Sequence, residues 1–285
     1  MKQSKVRHVA ALAAAALVTT GAVGVVAATT ATPAAAADAS IRVITHNTQK
    51  KVGAVDAAFA EARATTGPEV ILLQEVCAGM VDGIKARMGT AVYRERKAVN
   101  TNCGGAGIGE MAVWTGGNVL GTSKHDLGGL QTGGHIYGLA CVTFSHAGRA
   151  TRACSTHLAA GGTEFDPVRQ ETARAIQDKS NTWIGEGKRV IVGGDFNSQP
   201  GDATMNAMYG VGPLSGGPFR EIHQTRGADN QDRGGLNTFY SKKIDYVFIS
   251  KVDASSSGGT ENVCKDCTPS DHRVLWGSLP LKARG

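Results

Sequence analysis

Long apolar runs, aromatic side chains and an excess of either charge are all scarce in this chain. Aromatic residues are 5% and charged residues 19% of its 285 residues. Past the N-terminal leader no stretch is apolar enough to span a membrane, so no stable membrane anchor is expected in the body of the chain. Hydrophobic residues nevertheless reach 41%. That excludes a disordered, fibrous or coiled-coil chain and allows a real core. The formal charge of +6 is half leader: Lys2, Lys5 and Arg7 precede any acid, and the rest holds 27 Lys+Arg against 24 Asp+Glu, or +3. So weak a field neither requires nor forbids an anionic partner. The 38 glycines include no G-x-x-x-x-G-K-[ST], which excludes a P-loop, and no internal repeat is present.

What is there begins with a leader. Met1 to His8 is basic, an Ala/Val-rich stretch runs to about Ala28, and Ala35 and Ala37 meet the small-residue rule for cleavage just before Asp38. Residues 1–37 therefore read as a cleaved signal peptide, residues 38–285 as one secreted, extracellular domain, and the protein as a monomer. Six cysteines in an exported chain suggest disulfides. Cys141 and Cys154 stand on two alternating segments around Ser145-His-Ala-Gly148 and face each other if these form a hairpin. Cys264 and Cys267 form a C-x-x-C. A zinc site needs a second such pair, so a local disulfide is the better reading. Cys77 and Cys103 remain to pair with each other.

Short β-branched or aromatic runs predict strands at Ile41–His46, Val70–Leu73, Met111–Trp114, Val190–Gly193 and Ile244–Ile249. Helical spacing covers Ala54–Ala64, Val81–Met88 and Asp166–Ile184. The class is α/β or α+β. Gly-rich segments at 104–109, 116–134 and 210–217 read as surface connections.

Polar groups stand where the predicted strands stop. Asn47 closes the first, Glu75 follows the Val70 run, His157 ends the returning arm of the hairpin, and Asp195 and Asn197 follow Val190–Gly194. Asp245 opens Tyr246-Val-Phe, and Asp271-His272 precede Val274-Leu-Trp276. One acid at a strand end is usually a cap or a solvated turn. Several carboxylates with two imidazoles suit a hard, oxygen-preferring cation and proton transfer, the combination that phosphoric ester hydrolysis requires. Mg²⁺ fits best, because it needs few carboxylates. Mn²⁺ can use the same ligands and Ca²⁺ can brace loops, whereas zinc is disfavoured by the oxygen-rich set.

These fragments, Thr45-His-Asn47, Leu73-Gln-Glu-Val76, Ser155-Thr-His-Leu158, Gly194-Asp-Phe-Asn197, Ile244-Asp-Tyr-Val247 and Ser270-Asp-His272, resemble the motifs of the endonuclease/exonuclease/phosphatase superfamily, in the same order. The resemblance implies a deoxyribonuclease-I-like four-layer sandwich, with two packed, mainly antiparallel β-sheets, helices outside, and the site at one edge. It implies Glu75, Asn47 and Asp271 as metal ligands, and Asp195 and Asn197 as positioning the attacking water and the phosphate. His157 and His272 would flank the scissile phosphate. Asp245 is expected to hold His272, and Glu110 to hold His157.

Two departures bear on substrate. Where the secreted nucleases of this superfamily place an Arg that enters the minor groove, Cys77 stands, and Ile108 falls near the place of a stacking Tyr. Phosphate contacts are assigned instead to Arg94, Arg96 or Lys97, and to Lys242 or Lys243. The first reading is a secreted, metal-dependent phosphodiesterase, most simply an endonuclease cutting DNA or RNA by in-line attack of an activated water. The alternative is a phospholipid phosphodiesterase of sphingomyelinase type, or a phosphoinositide phosphatase, on the same scaffold. The chain shows none of the paired loop aromatics expected of a bilayer-inserting enzyme. A non-catalytic protein that keeps the fold ranks last, because every motif residue is present.

Overall fold

Strands that are apolar at every position need cover on both faces, and the structure supplies it. The computed structural model describes residues 39–64, 67–128 and 133–282, and the expected leader over 1–37 lies outside the described residues. Among the described residues, twelve strands form two six-stranded sheets.

The first sheet contains β1 (Ser40–Asn47), β2 (Glu69–Cys77), β3 (Thr90–Lys97), β4 (Ile108–Trp114), β11 (Asn262–Cys264) and β12 (Val274–Pro280), in the order β11-β12-β1-β2-β4-β3. The second contains β5 (Val119–Asp126), β6 (Gly138–His146), β7 (Arg149–His157), β8 (Arg189–Asp195), β9 (Phe219–Glu221) and β10 (Asp245–Ser250), in the order β5-β6-β7-β8-β10-β9. Each sheet is antiparallel except for one parallel pair, β1 with β2 and β7 with β8. Parallel neighbours end at the same edge, and that edge is where the chemistry collects.

Three apolar clusters account for the layering. Val43, Val70, Leu72, Trp114, Phe144, Ile191 and Val247 meet between the sheets, where Trp114 stacks on Phe144 with ring centroids 3.7 Å apart. The alternate residues of the same strands, Ile44, Ile71, Leu73 and Val113, face α1 (Val52–Arg63) and α2 (Val81–Met88). Val190, Val192, Tyr246 and Phe248 face α3 (Asp166–Gly185) through Ala173, Ile176 and Trp183. Helix, sheet, sheet and helix thus form a four-layer sandwich, and the period of two along each strand serves two cores.

Three disulfides join Cys77–Cys103, Cys141–Cys154 and Cys264–Cys267. Cys141 and Cys154 are direct partners in the β6–β7 register. The connecting turn is tighter than the sequence suggests, with Ala147 and Gly148 both at positive φ, the backbone that matches strand twist in a two-residue hairpin. β5 lies in the segment 116–134 expected as a surface connection, and β3 is a strand that the spacing of apolar residues does not announce. In β3 the inward positions include Arg94 and Arg96 rather than apolar residues, which hides the alternation. β5 is mostly exposed and carries almost none. Among the described residues no helix is long and apolar enough to cross a membrane.

Candidate active site

Register alone lines up three of the expected residues. His157 lies opposite Asp195 in the parallel β7–β8 pair, and Asp195 lies opposite Asp245 in the antiparallel β8–β10 pair. Gly194 makes this approach possible: at φ +150, a Cβ there would stand 2.0 Å from the Thr156 carbonyl oxygen, a contact that no side chain survives.

Asp195 is the hub. Its Oδ2 accepts from Asn47 Nδ2 at 3.0 Å, a hydrogen bond that crosses from one sheet to the other. The same oxygen lies 3.4 Å from His157 Nε2 and 3.6 Å from His272 Nε2. Its Oδ1 accepts from the Asn197 backbone N–H at 2.8 Å. His272 turns its other nitrogen, Nδ1, to Asp245 Oδ2 at 2.9 Å. Asp195, Asp245 and His272 are all buried and offer polar atoms within 4.8 Å of one another. The segment that carries His272 is laced to β1. Ser270 Oγ donates to Asn47 O at 2.7 Å, His272 N donates to Ser270 Oγ at 3.2 Å, and His46 Nε2 lies 2.9 Å from Thr268 Oγ1.

On one side of this hub lies a cleft of about 300 Å³ lined by Lys50, Glu75, Arg96, His135 and His157. Glu75 sits at a bulge in β2 with φ +53, a backbone that turns its carboxylate out of the ladder, and Lys50 Nζ donates to its Oε2. On another side is a groove of about 550 Å³ bordered by Asn197, Gln199, Phe239 and Lys242.

The sequence profile of the endonuclease/exonuclease/phosphatase family matches residues 44–272, from the middle of β1 through His272. The chain belongs to that family. The endonuclease/exonuclease/phosphatase proteins are phosphoric ester hydrolases that generally depend on a divalent cation. Solved structures agree on the fold. The human Nocturnin catalytic domain with a bound sulfate anion superposes with a TM-score of 0.65 at 19% identity, covering 86% of this chain and 97% of that one. A family member from Bacteroides vulgatus gives 0.61 at 15%, covering 86% and 100%. D. rerio TDP2 complexed with single strand DNA product gives 0.59 at 15%, covering 85% and 99%. A sequence search of curated proteins found no match.

The two imidazoles sit in opposite environments. Burial works against charge on His272, but Asp245 and Asp195 outweigh it and hold its pKa at about 10. Burial, with Arg96 and His272 nearby, pushes His157 well below its usual value. Burial raises Asp195, against the pull of His272. One ring therefore keeps its proton at neutral pH and the other stays without it, the separation expected of an acid and a base sharing a site.

The family's cation has suitable donors. Glu75 offers a half-buried carboxylate that already faces an ammonium, so a positive charge is accommodated there. Asn47 pairs with Gln74 in the β1–β2 register, one residue from Glu75, and its Oδ1 is oriented by Gln49 N at 3.0 Å. Asp271 adjoins the laced segment. These are hard oxygen donors, which suit Mg²⁺ better than zinc.

Three sequence-based assignments need correction. Glu110 does not reach His157: Arg96 Nε donates to its Oε1 at 3.0 Å, Arg94 Nη1 lies 3.6 Å from Oε2, and His157 Nδ1 has no hydrogen-bond partner. Arg94 is the register partner of Glu110 and Arg96 stands at the adjoining register shift, so the inward arginines of β3 take the carboxylate first. Burial still raises Glu110 to about 7. Arg94 is 3% exposed and bound to Asp126 and two backbone carbonyls. Lys243 is 3% exposed, with Nζ 2.7 Å from Glu261 and 3.4 Å from Glu221. Neither is free to meet a phosphate. Arg96 does line the Glu75 cleft. Lys50 and His135 were missed, because a Lys in a loop and a His in a Gly-rich segment carry no periodic signal.

Proposed function

We propose that this family member is an exported, divalent-metal-dependent phosphodiesterase that cuts nucleic acid. The observation that carries the reading is the convergence on Asp195 Oδ2 of an amide from one sheet and two imidazoles with opposed protonation. The attacking water is held by Asp195 and Asn197, and its proton passes to the Asp195 carboxylate, with unprotonated His157 at 3.4 Å as a second basic group. His272 gives its Nε2 proton to the departing ester oxygen, and Asp245 stabilises the ring throughout. The new phosphorus–oxygen bond thus forms as the old one breaks, with one proton taken up and one released. A cation held by Glu75, Asn47 and Asp271, Mg²⁺ foremost, would offset charge developing on the phosphate. Arg96 and Lys50 add positive charge in the same cleft.

The leader and the three disulfides support export. The single-stranded DNA product named for the D. rerio relative supports a nucleic acid substrate for this chain. Purified protein should be offered duplex DNA, single-stranded DNA, RNA, sphingomyelin vesicles and a phosphoinositide, with and without EDTA. EDTA-sensitive cutting of a nucleic acid supports the reading. Hydrolysis confined to a lipid overturns the substrate, and EDTA-insensitive hydrolysis overturns the cation.

A further inference from the structure

Residues 239–242 form a tight turn closed on itself, Phe239 N donating to Lys242 O at 3.0 Å and Lys242 N to Phe239 O at 2.8 Å. The turn is fastened to the segment that carries His272. Phe239 makes an antiparallel backbone bridge to His272, their rings lie 4.7 Å apart, and Arg273 donates to Asn237 O at 2.6 Å and to Tyr240 O at 2.9 Å. At the tip, Tyr240 is 68% exposed and adopts φ +47, a region that large side chains seldom enter. Its ring meets the edge of Phe239 at 4.6 Å.

Folding alone gives no reason to hold an aromatic ring in water on a left-handed backbone where Gly or Asn fits without strain. A backbone outlier clamped this firmly beside reacting groups points to use. Lys242, exposed at the other end of the turn, borders the 550 Å³ groove that leads to Asn197, the neighbour of Asp195. The groove walls combine the hydrogen-bonding Thr163, Gln170 and Gln199 with the carboxylates of Asp166 and Asp202 and the apolar Ile244. A sugar-phosphate chain meets Lys242 as a cation there and the amide and hydroxyl groups as hydrogen-bonding partners.

We infer that Tyr240 is a stacking platform for one base of a single-stranded nucleic acid, next to the scissile phosphate, with Lys242 meeting the backbone phosphate beside it. Every base offers a π-face, so such a platform binds without reading sequence. In a duplex that face is already stacked, so the platform selects single strands. The inference rests on the nuclease reading and narrows it to a substrate class.

The test compares Tyr240→Ala and Tyr240→Trp with the unmodified protein on a single-stranded oligonucleotide and on a small diester without aromatic rings, two abasic tetrahydrofuran units joined by one phosphodiester. Tyr240→Ala should raise KM for the oligonucleotide by roughly tenfold to a hundredfold and leave turnover of the small diester unchanged, and Tyr240→Trp should restore the oligonucleotide KM. An unchanged oligonucleotide KM in Tyr240→Ala overturns the platform. So does a parallel loss on the small diester, which would make the turn a support for His272. Weakened sedimentation with sphingomyelin vesicles at an unchanged oligonucleotide KM overturns it in favour of a bilayer contact. If the unmodified protein hydrolyses the small diester and no oligonucleotide, the nuclease reading has failed. That outcome is distinct from failure of Tyr240 alone, where the unmodified protein cuts single strands and the Ala variant cuts them equally well.

Discussion

Asp245→Asn keeps the shape of the side chain that holds His272 and removes its charge. In the intact site the ring is held at about 10 against an ordinary value of 6.5, which corresponds to roughly 5 kcal/mol of preference for the charged form. Asp245 acts on the ring twice, through its charge and through the 2.9 Å hydrogen bond. Without it, burial regains the upper hand and the ring should lose its proton near or below neutrality. The unmodified protein should therefore hold its activity from pH 7.5 to pH 9, above the titration of the Asp195 carboxylate at about 7 and below that of His272 at about 10. The variant should lose about tenfold or more over the same interval, over and above any loss common to both pH values. Initial rates on one substrate in overlapping buffers measure that ratio. Stability moves in a linked way. A raised pKa in the folded state contributes stability that is fully present below about 6.5 and is lost as pH rises through about 10, so denaturation midpoints should fall across that window in the unmodified protein and fall less in the variant. An alkaline limb that does not move would refute the assignment of His272 as the acid held by Asp245.

Other consequences are open to direct measurement. Glu75→Gln should reduce cation-dependent hydrolysis by about a hundredfold or more, and added Mg²⁺ should no longer raise Tm; a cation-induced shift equal to that of the unmodified protein would remove Glu75 from the ligand set. The Cys77–Cys103 bridge encloses a sequence separation of 26, so replacing both cysteines by Ser should cost roughly 3–4 kcal/mol in denaturant unfolding while cutting persists below the new midpoint. Lys243→Met removes the buried cation between Glu221 and Glu261, leaving only His223 and Arg226 beside Glu261, and should cost about 3–5 kcal/mol with no change in KM. A raised KM would return Lys243 to the substrate surface.

Most of the site was legible because its residues end apolar runs. Glu75 and Asp195 follow uninterrupted buried runs, where a polar group breaks a strong pattern, and Asn47 and His157 close β1 and the returning arm of the hairpin. The four layers could be expected from the same runs once their family order was noticed, since a strand buried on both faces demands cover on both. What the sequence concealed was partnership. Glu110 lies within β4 and His157 at the end of β7, yet nothing in the order of residues says that Arg96, inward on β3, takes the carboxylate. β3 escaped notice for the same reason, because an inward Arg paired with a buried acid reads as surface. Lys50 and Tyr240 owe their positions to left-handed backbone in short turns, which no periodicity announces.

The strand order of the first sheet determines when activity can appear. β12, near the end of the chain, inserts between β1 and β11, and the segment just before it brings Asp271 and His272. Until that insertion is complete, Asn47 and Asp195 can meet across the sheets, but no proton donor stands beside them. A nascent or half-threaded chain therefore holds a partial site without an acid. Recovery of turnover during refolding should report the arrival of the last strand, well after most of the secondary structure has formed.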